Sequence, residues 1–392
     1  MPAEGTHRPA WAEIDLAAIR HNASVLAAIA APARLCAVVK ADAYGHSAVP
    51  VAVAALEGGA SELAVALVDE GAELREGGVA APVLLLSEPA ADAMADTFAF
   101  DLVPTLYTPD GVMAAREAAA EHGAGTSRAP FPVEVKVDTG MHRVGAAPGD
   151  VVSVVAQVVG SRELSFAGLS THFAVAGDVG DPFTTEQIEA FESVRAALRH
   201  AGLPEPARVH AANSAGTIAW PAARYDLVRC GISLYGYVPG SRIEPVLARE
   251  LARTGMAPLR PSLSWKAKVT LARRYAAGER VSYGRALALS SEAVVATVPL
   301  GYADGVPRGY FTAGGAVLIG GRRCPLAGTV TMDQILVACD PDAGVQIGDE
   351  VVLIGSQGDT TITADEWADR LGTISYEVVT RIGRRVPRVF VG

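Results

Sequence analysis

Lys40 closes the apolar run "RLCAVVK", and a phenol follows four residues later at Tyr44. Polar groups close other apolar runs in the same way through the first 235 residues. They are Lys136, Asp138 and Arg143 in "KVDTGMHRVG", His172 at the end of "LSFAGLSTH", Asn213 and Ser214 in "HAANS", and Arg229 and Gly231 in "VRCGIS". Solvation at the end of a strand favours polar residues of any kind. It does not select two lysines, two arginines and a histidine, and a rim of that charge selects an anion. Ser214 offers a hydroxyl, and the segment at Gly231 offers backbone N–H groups that a ligand can approach closely, which together make a phosphate corner. A phosphate beside a lysine amine points to pyridoxal 5′-phosphate held as a Schiff base.

These residues share one rim only if the runs that carry them are parallel strands. The runs span 34–40, 62–67, 82–87, 100–106, 132–138, 164–172, 207–214 and 225–233. Most lack the alternation of a half-exposed strand, as parallel strands covered on both faces should. Alanine-rich helical stretches separate them. One is "TTEQIEAFESVRAALRHAG" (184–202), with Thr184 or Thr185 as its cap and Gly202 as its stop. Eight strands alternating with helices predict a (β/α)8 TIM-type barrel, whose active site lies at the C-terminal ends of the strands. The rival, an open doubly wound sheet, lacks its GxGxxG after the first strand. Near residue 250 the composition changes to β-rich runs joined by Gly/Pro/Asp turns, such as "LSWKAKVTLARR" and "DEVVLIG". The organisation expected is a barrel over 1–250 and a mostly-β C-terminal domain over 251–392. A short helix, "TADEWADRLG", interrupts the second domain, with Thr363 to cap it and Gly372 to end it.

The whole chain narrows the function. Its 392 residues are 50% hydrophobic and carry a formal net charge of -10, which argues against nucleic acid or an anionic membrane as partner. The basic run "RIGRRVPR" near the C-terminus reads as a solvated face or an interface. The opening "MPAEGTHRPAWAEID" holds no apolar leader, and no stretch reaches the roughly 20 apolar residues of a membrane span. The four cysteines, Cys36, Cys230, Cys324 and Cys339, show no CxxC spacing and sit in apolar segments. They read as free thiols in a reducing compartment, and no cluster has the spacing of metal ligands. The expectation is a cytoplasmic protein without a metal.

Nine segments in order, "AVVKADAYGHS", "KVDTGMHRVG", "STHFAVAGD", "HAANSAGT", "VRCGISLYG", "ERVSYGR", "PLGYADGVPR", "GTVTMDQ" and "SYEVVTRIGRRVPR", resemble the alanine racemase family over nearly the whole chain. The resemblance implies a pyridoxal-phosphate barrel with a β domain, and a head-to-tail homodimer whose two sites each combine residues of both chains. It implies that Lys40 holds the cofactor and serves as one base, and that Tyr283, from the partner subunit, is the second. Tyr44, Ser214, Gly231, Ile232 and Tyr376 would bind the phosphate, with Asn213 beside Ser214 on the cofactor side. Arg229 would face the pyridine nitrogen, and His172 would connect Arg229 with the tyrosine. Arg143 would meet the cofactor's phenolic oxygen and the substrate carboxylate, helped by the backbone N–H of Met332. Tyr302 and Asp333 would line the entrance, and Lys136 stands where related enzymes carry a carbamylated lysine.

The chemistry accounts for these types. Racemisation removes the Cα proton on one face and returns a proton on the other, so one base cannot easily serve both. Lysine and tyrosine ordinarily titrate at about 10, and a dense cationic site favours the neutral amine and the phenolate. The activity implied is interconversion of L- and D-alanine, supplying D-alanine for peptidoglycan. A racemase of another small amino acid, such as serine, is the near alternative, because discrimination of one hydroxyl is not legible in residue types. A decarboxylase of the same architecture would bring a carboxylate to the pyridine nitrogen, which the arginine of "VRCGIS" opposes. A pyridoxal-phosphate carrier would lack the β domain.

Overall fold

The structure is a computed structural model and describes residues 7–392. Residues 1–6, part of the opening stretch read above for a leader, lie outside the described residues. The chain divides into two compact units. One holds Ala18–Ala43 and Ala48–Arg260; the other holds the residues up to Ala17, Tyr44–Ser47 and Pro261–Gly392.

After a first strand, β1 (Ala10–Asp15), and a first helix, α1 (Leu16–Ala30), the eight expected strands follow. They are β2 (Arg34–Val38), β3 (Glu62–Val65), β4 (Val83–Leu85), β5 (Thr105–Leu106), β6 (Phe131–Lys136), β7 (Leu164–Ser170), β8 (Arg208–His210) and β9 (Leu227–Cys230). All their pairings are parallel, in two runs of four, β4-β3-β2-β9 and β5-β6-β7-β8. The runs join at both ends. Leu84 bridges Val103, while the Arg229 N–H donates to Ala212 O at 2.9 Å and the Asp226 N–H to Val209 O at 3.1 Å. The result is a closed α/β barrel, and β2, β3, β4 and β9 are buried almost throughout, as their unalternating apolar character requires. Asn22 of α1 ties the barrel's last turn down, donating to Leu234 O at 3.0 Å and Arg260 O at 2.8 Å and accepting from the Arg260 N–H.

The helix read over 184–202 forms as Phe183–His200, and Gly202 follows it in the left-handed region at φ +72°. Neither threonine caps it. Thr184 is buried inside the first turn, and Asp181 Oδ1 accepts the Phe183 N–H at 2.9 Å instead. An aspartate two residues ahead of the helix takes the free amide that the threonine was expected to satisfy.

The second unit is β-rich. Its strands are β10 (Leu263–Lys268), β11 (Leu271–Tyr275), β12 (Arg280–Val281), β13 (Leu287–Ala288), β14 (Ala293–Val298), β15 (Ala316–Ile319), β16 (Arg322–Pro325), β17 (Ile335–Cys339), β18 (Glu350–Gln357), β19 (Thr360–Ile362) and β20 (Arg388–Val391). The main sheet runs β16-β15-β18-β10-β1-β20, with β19 off β18. β1 therefore lies inside this sheet, antiparallel to β10 and parallel to β20. Trp265, Trp367 and Tyr310 centre the core, with the Tyr310 and Trp367 rings stacked at 3.9 Å. The helix Ala364–Leu371 is capped by Thr363, whose side chain accepts the Glu366 N–H, and ends at Gly372 in the left-handed region, as the sequence predicts. Part of the basic run is spent within its own unit. Arg388 donates to the carbonyls of Gly45, Ile382, Gly383 and Val386, and Arg385 pairs with Asp304 and Asp333.

Candidate active site

β2 ends at Val38, and the chain then makes a single helical turn, α2 (Lys40–Gly45), before α3 (Ala48–Glu57). That turn is left-handed. Ala41, Asp42, Ala43 and Tyr44 all have φ between 51° and 54°. Such a conformation costs about 1–2 kcal/mol per non-glycine residue, so the surroundings must impose it. Asp42 Oδ1 accepts the Ala48 N–H at 2.9 Å, and Glu70 Oε1 accepts the Ala41 N–H at 2.6 Å. Burial lowers the Lys40 pKa, Arg143 lowers it further, and Glu70 opposes them. Lys40 is thereby biased toward the neutral amine.

Lys136 ends β6 and is buried. Burial, then Arg229, Arg143 and Lys40, bring its pKa down to about 7. The chain beyond it loops out and returns. Val137 bridges Ala146, the Asp138 N–H donates to Ala146 O, and Asp138 Oδ1 accepts the N–H groups of Gly140 and His142. Gly145 lets the return strand close, since a Cβ there would meet the Asp138 nitrogen at 2.6 Å with φ at +135°. Arg143 stands exposed on this loop.

Arg229 is buried at the end of β9 and held by four acceptors. It donates to Thr171 O at 2.7 Å, to Ala211 O at 3.1 Å, to His172 Nδ1 at 3.2 Å and to His210 Nδ1. Arginine only donates, so both Nδ1 atoms accept and each imidazole carries its proton on Nε2. Burial and the four surrounding cations Arg229, Lys136, Arg143 and Lys40 hold the His172 pKa well below its usual range. The His210 Nε2–H points at Glu134 Oε2, 2.7 Å away, and Glu134 also pairs with Arg208, which reaches Glu62 at 3.0 Å. Burial alone would raise the Glu134 pKa, but His210 and Arg208 pull it to about 2. Gly168 leaves the room for this carboxylate, because a Cβ there would meet Glu134 Oε1 at 2.4 Å.

Ser214 Oγ accepts the Gly231 N–H at 3.0 Å and the Ser233 N–H at 3.4 Å and keeps its own proton to donate. Ile232 begins the turn that follows Gly231. Ser233 Oγ is buried with no hydrogen-bond partner. Asn213 spends its side chain on capping, accepting the Gly216 N–H at 2.9 Å, so it acts by shaping this corner. A phosphorylated aldehyde fits these residues: an orphaned hydroxyl and a free serine proton suit the phosphate, and an amine biased to neutrality suits the carbonyl.

The β-rich unit brings together its own set. Tyr283, Tyr302, Met332 and Asp333 line one open cavity of about 670 Å³. Tyr283 is 74% exposed. Its neighbour Ser282 sits at φ 65° and Arg285 at φ 50°, so this loop is held in a shape its residues disfavour. Backbone bonds from the Tyr302 N–H to Thr331 O and from the Ala303 N–H to Met332 O fix the opposite wall. Gly301 permits that approach, because a Cβ there would lie 2.3 Å from the carbonyl oxygens of Thr331 and Met332. Asp333 is already paired with Arg385 at 2.7 Å. Tyr44 and Tyr376 face each other with ring centroids 6.1 Å apart. Sequence reasoning passed over Glu70, Glu134, Arg208 and His210. The signal for Glu134 was present, since a carboxylate inside the apolar run "PVEVKV" demands a buried partner. Among the described residues no group of acidic, histidine or cysteine side chains could hold a metal ion, and no helix is long and apolar enough to cross a membrane.

Comparison with known proteins covers both units. Residues 14–239 match the family described as alanine racemase, N-terminal domain, and residues 262–390 match alanine racemase, C-terminal domain. A curated alanine racemase of Symbiobacterium thermophilum is 43% identical over 386 residues, covering 98% of either chain. The crystal structure of alanine racemase from Bacillus anthracis with bound L-Ala-P superposes with a TM-score of 0.89 at 35% identity, over 99% of this chain and 96% of that one. The alanine racemase of Streptomyces coelicolor A3(2) gives 0.88 at 37% identity, over 98% of each chain.

Proposed function

As a member of the alanine racemase family along both of its domains, this chain interconverts L- and D-alanine, and we propose that Lys40 and Tyr283 are its two bases. Pyridoxal 5′-phosphate, carried on Lys40, supplies the electron sink that lets a proton leave Cα of alanine. Lys40 handles that proton on one face and Tyr283, supplied by the partner subunit of a homodimer, on the other. Arg143 receives the substrate carboxylate with the Met332 N–H, and Tyr302 and Asp333 line the way in. Ser214, Gly231, Ile232, Tyr44 and Tyr376 hold the phosphate, and Asn213 shapes the corner that does so. Arg229 is directed to the ring nitrogen, and His172 connects it toward Tyr283. Being always charged, Arg229 would keep the ring nitrogen of a bound cofactor unprotonated and weaken the sink, which would restrain transamination. The neutral amine of Lys136 is the form that adds carbon dioxide as a carbamate, and a carbamate there steadies Arg143. The D-alanine formed serves peptidoglycan.

What supports this assignment of residues above all is Lys40 itself: an amine biased to neutrality by burial and by Arg143, on the barrel that also carries the Ser214 corner and the immobilised Arg229. The test is chiral analysis of L-alanine incubated with the purified protein and pyridoxal phosphate in deuterated water. D-Alanine with deuterium at Cα is the expected product, and an amine product or unchanged alanine rejects the reading. Running L-serine in parallel measures breadth. Borohydride reduction and peptide mapping should place the cofactor on Lys40.

A further inference from the structure

Glu70 lies in the first turn of α4 (Val68–Glu76), three residues past the helix's cap position at Leu67. Its Oε2 accepts the N–H groups of Ala66 at 2.8 Å and Leu67 at 3.2 Å, which is the ordinary work of a glutamate at that position. Its Oε1 does something capping does not require. It reaches across to the neighbouring strand's exit and accepts the Ala41 N–H at 2.6 Å. Ala41 is the residue directly after Lys40 and the first of four non-glycine residues in a left-handed turn. The amides at the start of a helical turn lack internal partners, so without Glu70 the Ala41 amide loses the partner that holds it.

We propose that Glu70 is a positioning residue for the racemase reaction: it grips the exits of β2 and β3 with its two carboxylate oxygens, fixes the left-handed turn that begins at Lys40, and keeps a negative charge beside that amine. The inference rests on the reading of Lys40 as the cofactor lysine. The other charged groups facing the amine are the cations Arg143, Lys136 and His172 when protonated, with Arg229 and the carboxylate of Asp138 beyond Lys136. Among the described residues, Glu70 is the carboxylate that acts directly on Lys40 against Arg143. Geometry and charge are thus separable. Glu70→Gln keeps the length and loses the charge; Glu70→Asp keeps the charge and loses the reach.

The experiment uses the full chain, stripped of cofactor and reloaded with pyridoxal phosphate across a pH series. The rate of linkage to Lys40 reports the fraction of neutral amine. A carboxylate nearby favours the protonated form, so Glu70→Gln should move the midpoint of that profile down by about one pH unit. Glu70→Asp should leave the midpoint in place and lower kcat about tenfold or more with KM for alanine unchanged, as expected for a misplaced reacting group. A helix cap alone would lower the melting temperature of both variants and move neither profile. An unmoved midpoint in Glu70→Gln together with an unchanged kcat in Glu70→Asp overturns the proposal. Borohydride mapping of the wild-type protein separates the two failures. Label away from Lys40 defeats the cofactor assignment, and label on Lys40 with both variants unmoved defeats the role of Glu70 alone.

Discussion

The single side chains of this site are tuned mostly by burial and by one another's charge. Lys136 shows it in a measurable way. Its folded pKa is about 7 against an ordinary 10.5, so between those values the unfolded chain binds a proton that the folded chain does not. Stability therefore rises with pH across that window. In carbon-dioxide-free buffer, urea melts of Lys136→Met should show a flatter rise from pH 7 to 10 than the wild type, and an identical slope would refute the shifted amine. Glu134 has the opposite sign. Its folded pKa is about 2 against 4.5, so its contribution is present above 4.5 and is lost as pH falls toward 2. Glu134→Ala leaves the buried His210 Nε2–H without its acceptor and Arg208 with Glu62 alone, and should cost about 3–5 kcal/mol in a urea melt. Arg229→Glu should raise the yield of transamination products per turnover, read as pyruvate formed from alanine; unchanged partitioning rejects the part given to that arginine. Lys40, His172 and Arg229 were legible as candidates because each stands at the end of an apolar run, whereas Arg143 stands on the loop beyond β6. Arg208 and His210 were not, because nothing in "ARVHAANS" points to the buried carboxylate two strands away that they pair with, while Glu134 was signalled by its place inside "PVEVKV" and went unread.

At the level of elements, the apolar runs announced the barrel strands, since a strand covered on both faces has no polar face to disguise it. β1 went unread. "AWAEID" is short and alternating, and nothing local tells it to pair with β10 some 250 residues later in the chain. The left-handed turn at α2 was hidden for a different reason: alanine and tyrosine are poor choices for positive φ, so propensity argues against what tertiary contacts impose. The loops around Tyr283 and Met332 depend on glycine in a way the sequence also conceals. Gly301→Ala would press a methyl group into the carbonyls of Thr331 and Met332 and should cost about 1–3 kcal/mol. The same change should lower kcat/KM for alanine, because the wall carrying Met332 must shift. Normal stability with normal kinetics would show that this wall is slack.

For the whole molecule, the sharing of sites between subunits is the proposal with the plainest test. Lys40→Ala and Tyr283→Ala homodimers should each be inactive. Mixed under conditions that exchange subunits, they should recover about a quarter of the wild-type activity per site, because in the heterodimer one of the two sites inherits both defects and the other neither. No recovery from heterodimers verified by mass would place Tyr283 in its own subunit's site. The strand order of the β-rich unit carries a consequence of another kind. β1 precedes every barrel strand along the chain, yet both of its neighbours, β10 and β20, follow the last of them. The barrel strands are all made, and free to assemble, while that first strand waits with both edges open. Completion of this sheet thus waits for β20. A nascent chain stalled before Arg388 would hold a finished barrel and an unfinished sheet, which is the moment at which a chaperone would have most to protect.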